Sequence, residues 1–172
     1  HMIDVVRFLG QEFREVFAST GIFIKERPSE ETGELVPVDT DDWCNITAHL
    51  ESEASCTIQL SRTAATFPSL VEIEILGEAG RMLYVNANGK DSLTFTDAKT
   101  KETEDLVPPE EFSAIQSRSF VNLVNGIEDE YTAKLAQGVE CQAVIDAALL
   151  SSTENRPILI SAIKDGTEAV KQ

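Results

Sequence analysis

Apolar and polar residues alternate through the middle of the chain with the two-residue period of β-strands. Apolar side chains occupy every second position in three segments, 46–50, 56–60 and 71–75. Further strand-like segments follow at 82–85 and 93–96, and the connections between them have hairpin lengths. Consecutive strands with such connections pair antiparallel. The pattern therefore predicts a mostly antiparallel sheet and excludes the βαβ unit of nucleotide-binding folds.

Segments 46–50 and 56–60 predict a hairpin with one apolar face and one polar, largely uncharged face. A register that keeps apolar residues opposite each other leaves a three-residue loop. Ser52, Glu53 and Ala54 form this loop, and a left-handed turn position is less favourable without glycine. How the hairpin closes therefore stays open. The predicted pairs are Ile46–Leu60, Ala48–Ile58 and Leu50–Cys56, with Thr47 beside Gln59 and His49 beside Thr57.

Helical periodicity marks the two ends of the chain. An apolar stripe over residues 2–9 precedes Gly10, and residues 132–152 are apolar on more than one side. A helix that is apolar on most sides must be covered, so we expect it to pack across the apolar face of the sheet. The predicted fold class is α+β, an open mostly antiparallel sheet with helices on one face. The other predicted elements are a strand over 13–25, a loop over 26–42, a helix over 112–127 interrupted near Gly126 and an edge strand over 158–162. We expect one domain over 1–164, followed by a loose tail over 165–172.

Composition narrows the classes of partner. The chain has 172 residues and a net charge of −16, which disfavours nucleic acid and anionic membranes. No apolar run approaches the roughly 20 residues of a membrane span, and no signal peptide is visible, so we expect a cytoplasmic protein with reduced cysteines. The acids of 39–42 lack the glycine and the bidentate glutamate of a calcium loop, so we predict no metal site.

Several segments together resemble the C-terminal domain of the glucose–fructose oxidoreductase and inositol dehydrogenase (Gfo/Idh/MocA) family. Their order and spacing match the family from Ile3 to about Ile160. The resemblance implies a fold similar to the C-terminal domain of dihydrodipicolinate reductase, which shapes a substrate pocket and forms homo-oligomers through its sheet. The segments are Asp41-Asp42-Trp43, Thr57–Ser61, Ile73–Gly80 and Gln142–Ala148 followed by Ser151 and Arg156.

Members of this family are NAD(P)-dependent oxidoreductases of sugars, inositols and related polyols, with an N-terminal Rossmann domain. The resemblance implies that this chain is the second half of such a protein. NAD or NADP would then be bound by the parent protein, with no cofactor site in this chain. Alone, the chain would be inactive.

The resemblance also implies a catalytic role for His1. His1-Met2-Ile3-Asp4 matches the family's "His-x-x-Asp" helix start, whose histidine carries the proton of the substrate hydroxyl. The alternative is that His1-Met2 is what remains of a cleaved expression tag. His1 is therefore a catalytic candidate only if it is native.

Three further residues are candidates for contact with substrate or with a neighbouring subunit. Arg62 leaves the end of a predicted strand, where its guanidinium could hold a carboxylate or a second subunit. Gln59 and His49 lie on the polar face of the predicted hairpin. The alternative to an oxidoreductase domain is a free-standing dimeric binding or scaffold module that associates through its sheet without catalysis, because a fold alone does not define a function.

Overall fold

The computed structural model describes residues 1–63, 69–109, 115–127 and 132–170, which divide between two compact units. The first unit comprises 1–63 and 133–172, and the second comprises 64–132. All strand pairs among the described residues are antiparallel, which confirms the predicted α+β class. The elements are α1 (Met2–Phe8), β1 (Phe13–Gly21), β2 (Glu26–Pro28), β3 (Leu35–Pro37), β4 (Trp43–Leu50), β5 (Ser55–Ser61), β6 (Leu70–Gly77), β7 (Gly80–Ala87), β8 (Lys90–Asp97), β9 (Thr103–Asp105), α2 (Gln116–Val124), α3 (Leu135–Glu154), β10 (Ile158–Leu159) and α4 (Ile160–Lys164).

The first unit is a four-stranded sheet with α3 packed across one face. The strand order is β10-β1-β4-β5. Three alanines of α3 are buried against the strands, and their small side chains let the helix approach the sheet closely. The predicted long helix thus covers the apolar face as expected. The core consists of Phe13, Val16, Ala18, Ile46, Ala48, Leu50, Ile58, Ala143, Val144, Ala147, Ala148, Leu150, Ile158 and Ile160.

Two serines near the end of α3 accept hydrogen bonds from the outer edge of β1. The short strand β10 pairs only with Glu15 and Val16, so the next N–H groups along β1 need other acceptors. The N–H of Ala18 donates to Ser151 Oγ at 2.9 Å, and the N–H of Thr20 donates to Ser152 Oγ at 3.1 Å. Two adjacent serines of the helix thereby extend the hydrogen bonding of the edge.

The hairpin between β4 and β5 forms, but its register differs from the prediction by two residues. Ile46 lies opposite Ile58 and Ala48 opposite Cys56, so both faces keep their character. On the polar face, Thr47 lies opposite Thr57, Asn45 opposite Gln59, and His49 opposite Ser55. The loop is Glu51–Glu53, closed by hydrogen bonds between Leu50 and Ala54 and between Glu53 and Leu50.

The loop closes this way because Glu53 takes the left-handed position that glycine usually fills, with φ of 66°. The predicted pairing Leu50–Cys56 is therefore wrong. Leu60 moves to a place opposite Cys44 on the edge strand and remains 42% exposed.

Three predicted boundaries are corrected. Residues 26–42, expected as a loop, contain the hairpin of β2 and β3. The expected edge strand over 158–162 is a two-residue strand followed by α4, and the strand expected over 13–25 ends at Gly21. The loose tail expected over 165–172 stays a prediction; in its described part, the carboxylate of Glu168 lies 2.9 Å from Arg156.

The second unit is the meander β6-β7-β8-β9 together with α2. The turn at Asn88-Gly89 has positive φ at both positions, the geometry of a tight hairpin turn predicted by this dipeptide. Gly80 follows the other tight turn, where a Cβ would lie 2.1 Å from the carbonyl oxygen of Thr96. The predicted helix over 112–127 corresponds to α2, and its expected first turn lies outside the described residues.

Candidate functional site

The sheet face opposite α3 is not covered by any described element of the first unit. Its side chains form cross-strand rows, because residues opposite each other in antiparallel strands share a face. We call this surface the uncovered face. Its rows are Glu15–His49–Ser55, Phe17–Thr47–Thr57, Ser19–Asn45–Gln59 and Gly21–Trp43–Ser61.

The uncovered face carries little charge for so acidic a chain. Among the residues of its rows, only Glu15 and His49 have acidic or basic side chains, and they lie opposite each other. Phe17 is 40% exposed in the middle of the face, and Leu159 of β10, opposite Glu15, is 47% exposed. The face therefore combines hydroxyl and amide groups with exposed apolar side chains.

At one end of this face, Asp42 organises the turn that follows β1. Its carboxylate accepts the backbone N–H groups of Phe23 and Ile24, both at 2.8 Å. Arg27 of β2 lies 2.8 Å from its other oxygen. The side chain of Asp42 is almost fully buried. The bonds from Ile24 and Phe23, with the charge of Arg27, hold the pKa of this carboxyl below its usual value, although burial acts in the opposite direction.

The turn places the ring of Phe23 against Trp43. The two ring centroids are 5.9 Å apart and the planes are inclined by 28°, a stacked arrangement. The indole lies over Gly21, where a Cβ would be 2.6 Å from Nε1. Only glycine fits beneath the indole at this point. Phe23 itself is 66% exposed.

Next to this pair lies an open cleft of about 440 Å³, which we call the aromatic cleft. Aromatic rings form one part of its lining, and amide and hydroxyl groups of β4 and β5 form another. None of the side chains that line it carries a formal charge. The lining residues are Phe23, Trp43, Asn45, Gln59, Leu60 and Ser61.

The structure separates the predicted contact residues into two places. Gln59 lies in the aromatic cleft, and Arg62 follows the end of the same strand. The N–H of Arg62 donates to the carbonyl of Asp42 at 2.8 Å, while its guanidinium is exposed and has no partner among the described residues. His49 lies four residues along β4 from Asn45, roughly 13 Å away at the rise of a strand. His49 therefore does not belong to the cleft.

His1 lies at the start of α1 with an exposed side chain. Its carbonyl accepts the N–H of Val5 at 2.9 Å, and its imidazole has no partner among the described residues. The first turn of α1 contacts α3, where the Cys141 thiol lies 3.6 Å from a carboxylate oxygen of Asp4. The catalytic role expected for His1 remains a prediction.

A second cleft of about 610 Å³ lies beside α1, α3 and α4 in the first unit. It is strongly charged, but its two cations are already paired. Arg7 lies 2.9 Å from Glu12, and Lys164 lies 2.8 Å from Glu140. Its two cations are therefore engaged before any anionic ligand arrives, and none of the predicted site residues lines it.

The cysteines are unpaired and half-buried. Burial raises the pKa of the Cys44 and Cys56 thiols, which disfavours a reactive thiolate there. Across the described ranges, no group of three histidine, cysteine or acidic side chains is arranged to hold a metal ion. In the same part of the chain, no helix combines the length and apolar character needed to cross a membrane.

Phe23, Trp43 and Asn45 are among the residues of the aromatic cleft that the sequence-based site prediction missed. Phe23 was expected inside a continuous strand, and the turn that presents it depends on a carboxylate 19 residues away. Asn45 was recognisable as a polar position of an alternating strand facing Gln59 in the observed register. The rare tryptophan beside paired acids was the strongest available signal for this region.

Comparisons with known proteins support the predicted resemblance. The family model described as the GFO/IDH/MocA C-terminal domain matches residues 1–83, and this family is one of oxidoreductases. No curated protein matches the chain.

Several solved structures share the fold over nearly the whole chain. An oxidoreductase domain protein from Kribbella flavida is 24% identical with a TM-score of 0.76, over 93% of this chain and 49% of that one. A levoglucosan dehydrogenase in complex with NADH and L-sorbose is 20% identical with a TM-score of 0.74, over 95% of this chain and 50% of that one. The transcriptional regulator Gal80p from Kluyveromyces lactis is 18% identical with a TM-score of 0.71, over 95% of this chain and 44% of that one. This chain thus spans about half the length of these proteins.

Proposed function

We propose that this chain is the substrate-binding and oligomerisation domain of an NAD(P)-dependent oxidoreductase that acts on a sugar, an inositol or a related polyol. The observation that carries the proposal is the family match over residues 1–83 together with a shared fold over 93% of the chain. A chain that spans half of such proteins corresponds to one of their two functional parts. The levoglucosan dehydrogenase, a neighbour crystallised with NADH and a sugar, supports the proposed cofactor and substrate class.

The cofactor would be bound outside this chain. A dinucleotide site needs a glycine-rich turn that leads from a strand into a helix, whose N-terminal N–H groups bind the pyrophosphate. In the described residues, Gly77–Gly80 instead joins two antiparallel strands. The described residues contain no such strand-to-helix turn, so we assign this chain no step at the cofactor.

The chain would contribute substrate contacts and, if the residue is native, one proton carrier. His1 would accept the proton of the substrate hydroxyl, since an imidazole changes protonation near neutral pH. Arg62 follows the end of β5, adjacent along the chain to the cleft residue Ser61, and its guanidinium has no partner among the residues that the structure describes. It would hold an oxygen-rich substrate or a neighbouring subunit in place.

The middle of the uncovered face would form the oligomer interface, with the aromatic cleft at the end of the face left outside the contact. A net charge of −16 makes two copies repel each other, and the repulsion is smallest where they meet through uncharged side chains. The central row of Phe17, Thr47 and Thr57 meets this condition and offers an exposed aromatic ring.

A turnover assay tests the oxidoreductase proposal. The protein that contains this domain with its dinucleotide-binding partner domain would be supplied with NAD or NADP and a panel of sugars and inositols, and formation of the reduced cofactor would be followed by absorbance. We expect turnover of at least one polyol. Arg62→Gln should raise KM, whereas Arg118→Gln, which neutralises an exposed cation of the second unit, should leave it unchanged. Absence of turnover with both cofactors across the panel would contradict the proposal.

Sedimentation tests the interface. Thr47→Lys places a charge in the centre of the uncovered face and should convert an oligomer into monomers. Thr153→Lys adds the same charge on the exposed side of α3 and should not. If the wild-type chain sediments as a monomer at high micromolar concentration, the uncovered face is not an interface of this kind.

A non-catalytic binding module is the second candidate function. The observation in its favour is the shared fold with Gal80p, which is described as a transcriptional regulator. Self-association through the uncovered face without any turnover in the assay above would select this candidate.

A further inference from the structure

The aromatic cleft combines three properties of a small-molecule site. Its volume of about 440 Å³ lies within the roughly 300–1,000 Å³ typical of ligand pockets. Its lining contains apolar ring surface and a few polar groups, as in most such pockets. Its shape is held by bonds that do not involve a ligand.

The aromatic part is fixed before any ligand arrives. Asp42 holds the backbone at Phe23 and Ile24, and Gly21 leaves the space that the Trp43 indole fills. Rigid, preformed groups lose little conformational entropy on binding, which favours affinity. Even so, Phe23 keeps two-thirds of its surface in water. An exposed ring in a stacked, anchored position is available for contact with a second flat surface.

The polar part contains two carboxamides and the hydroxyl of Ser61, which lies 3.3 Å from that of Thr63. Asn45 and Gln59 lie opposite each other on neighbouring strands, and neither carboxamide is hydrogen-bonded to any described residue. Each carboxamide offers two N–H donors and one oxygen acceptor. Such groups match ligands whose hydroxyls both donate and accept.

The absence of charged side chains from the cleft lining selects against ionic ligands. Charged residues make up 26% of the chain, yet none of the six residues that line the cleft is charged. An acidic ligand would find no cation among these six residues, since Arg62 lies outside the lining, and the strongly negative chain would repel it.

From these observations we infer that the aromatic cleft binds the ring of a neutral polyhydroxylated molecule. One face of the ring would lie on the Phe23–Trp43 pair, and its hydroxyls would bond to Asn45 and Gln59. The inference rests on the proposed function in that the bound ring would belong to the polyol substrate. It adds the residues that would hold the ring and the requirement that the ring be uncharged.

Trp43 reports binding directly, because it is the one tryptophan in the sequence. The chain would be titrated with D-glucose, D-galactose and myo-inositol while the indole emission is followed, and with D-glucuronate as a charged analogue. We expect a saturable change with at least one neutral ring and at least about tenfold weaker binding of glucuronate. No saturable change at about 100 mM, a concentration that would saturate even a site of about 10 mM affinity, would overturn the inference.

Three variants test the assignment while keeping the fluorescent residue. Gln59→Leu and Asn45→Leu each remove a carboxamide at similar volume and should weaken binding about tenfold. Gln142→Leu is the matched control, since it removes a carboxamide in the same way at an exposed position of α3, outside the cleft lining. Unchanged affinity in both cleft variants, or an equal loss in the control, would refute the assignment.

Three outcomes separate this inference from the proposals above. If the indole emission changes with protein concentration and not with polyol, a second copy occupies the cleft and the inference is overturned. If polyols bind at Trp43 but the parent protein shows no turnover, the cleft stands as a binding site and the oxidoreductase proposal fails. If the parent protein turns over a polyol but Trp43 gives no signal, the oxidoreductase proposal stands and the assignment of the cleft fails.

Discussion

The hydroxyl of Ser151 forms two hydrogen bonds in the first unit, and its removal tests how the sheet edge is completed. Ser151 is fully buried near the end of α3. It accepts the N–H of Ala18 at 2.9 Å and donates to the carbonyl of Arg156 at 2.7 Å. Ser151→Ala deletes both bonds without adding any group that could replace them.

The expected loss follows from the two bonds. An ordinary intramolecular hydrogen bond contributes about 1 kcal/mol, and a buried donor left without an acceptor costs roughly 1–3 kcal/mol. The N–H of Ala18 becomes such a donor, because Ala18 is only 2% exposed and β10 does not reach it. We therefore expect Ser151→Ala to lower the free energy of unfolding by about 2–3 kcal/mol. In a chain of this size, that corresponds to a fall in Tm of roughly 5–10 °C.

Urea unfolding followed by the emission of Trp43 measures this loss, since the indole belongs to the same unit. Ser152→Ala is the control. Its hydroxyl accepts the N–H of Thr20 at 3.1 Å in a half-buried position, where water can replace it. We therefore expect the free energy of unfolding to fall by less than about 1 kcal/mol. Equal losses in the two variants, or none in Ser151→Ala, would refute the idea that buried edge capping stabilises this unit.

Two further predictions concern the hairpin loop and acid stability. Glu53→Gly should raise the free energy of unfolding by about 0.5–1 kcal/mol in urea titrations, since glycine takes the left-handed φ of 66° with less strain. Glu51→Gly in the same loop, where φ is not positive, should lower it instead; stabilisation by both changes would implicate the lost charge. The carboxyl of Asp42 has a pKa below its ordinary value in the folded state, so its contribution is complete above the ordinary value of about 4 and decreases as pH falls toward the folded value. Urea midpoints measured between pH 6 and pH 3 should therefore fall less steeply in Asp42→Asn than in the wild type, and parallel profiles would contradict this role.

The sequence was sufficient for the elements whose side chains alternate between core and solvent. In β4, buried and exposed residues alternate from Asn45 to Leu50, so the hydrophobic pattern and the structure carry the same information. The same holds for α3, whose apolar character on several sides predicted burial against the sheet. The turn at Asn88-Gly89 was predictable because few other dipeptides adopt positive φ at both positions easily.

The alternation of apolar and polar residues could not determine the register of the β4–β5 hairpin or reveal the exposed strands β2 and β3. A shift of two residues keeps every side chain of the β4–β5 hairpin on its own face, so the predicted and observed registers bury apolar residues equally well. The choice between them depends on which loop residue adopts the left-handed conformation, and here it is Glu53. Similarly, every residue of β2 and β3 is exposed, and strands without a buried face leave no alternation to detect.

In the candidate site as well, alternation predicts some residues, whereas others depend on the register or on long-range bonds. Gln59 was identifiable because its position on the polar face follows from alternation alone, whichever register the hairpin takes. The partner that makes it part of a site is Asn45, and that pairing depends on the register. The aromatic surface depends on a bond between Asp42 and the backbone at Phe23, a contact that no local pattern encodes. Alternation thus identifies which side chains are available to a ligand, while the long-range bonds of one buried carboxylate decide which of them meet.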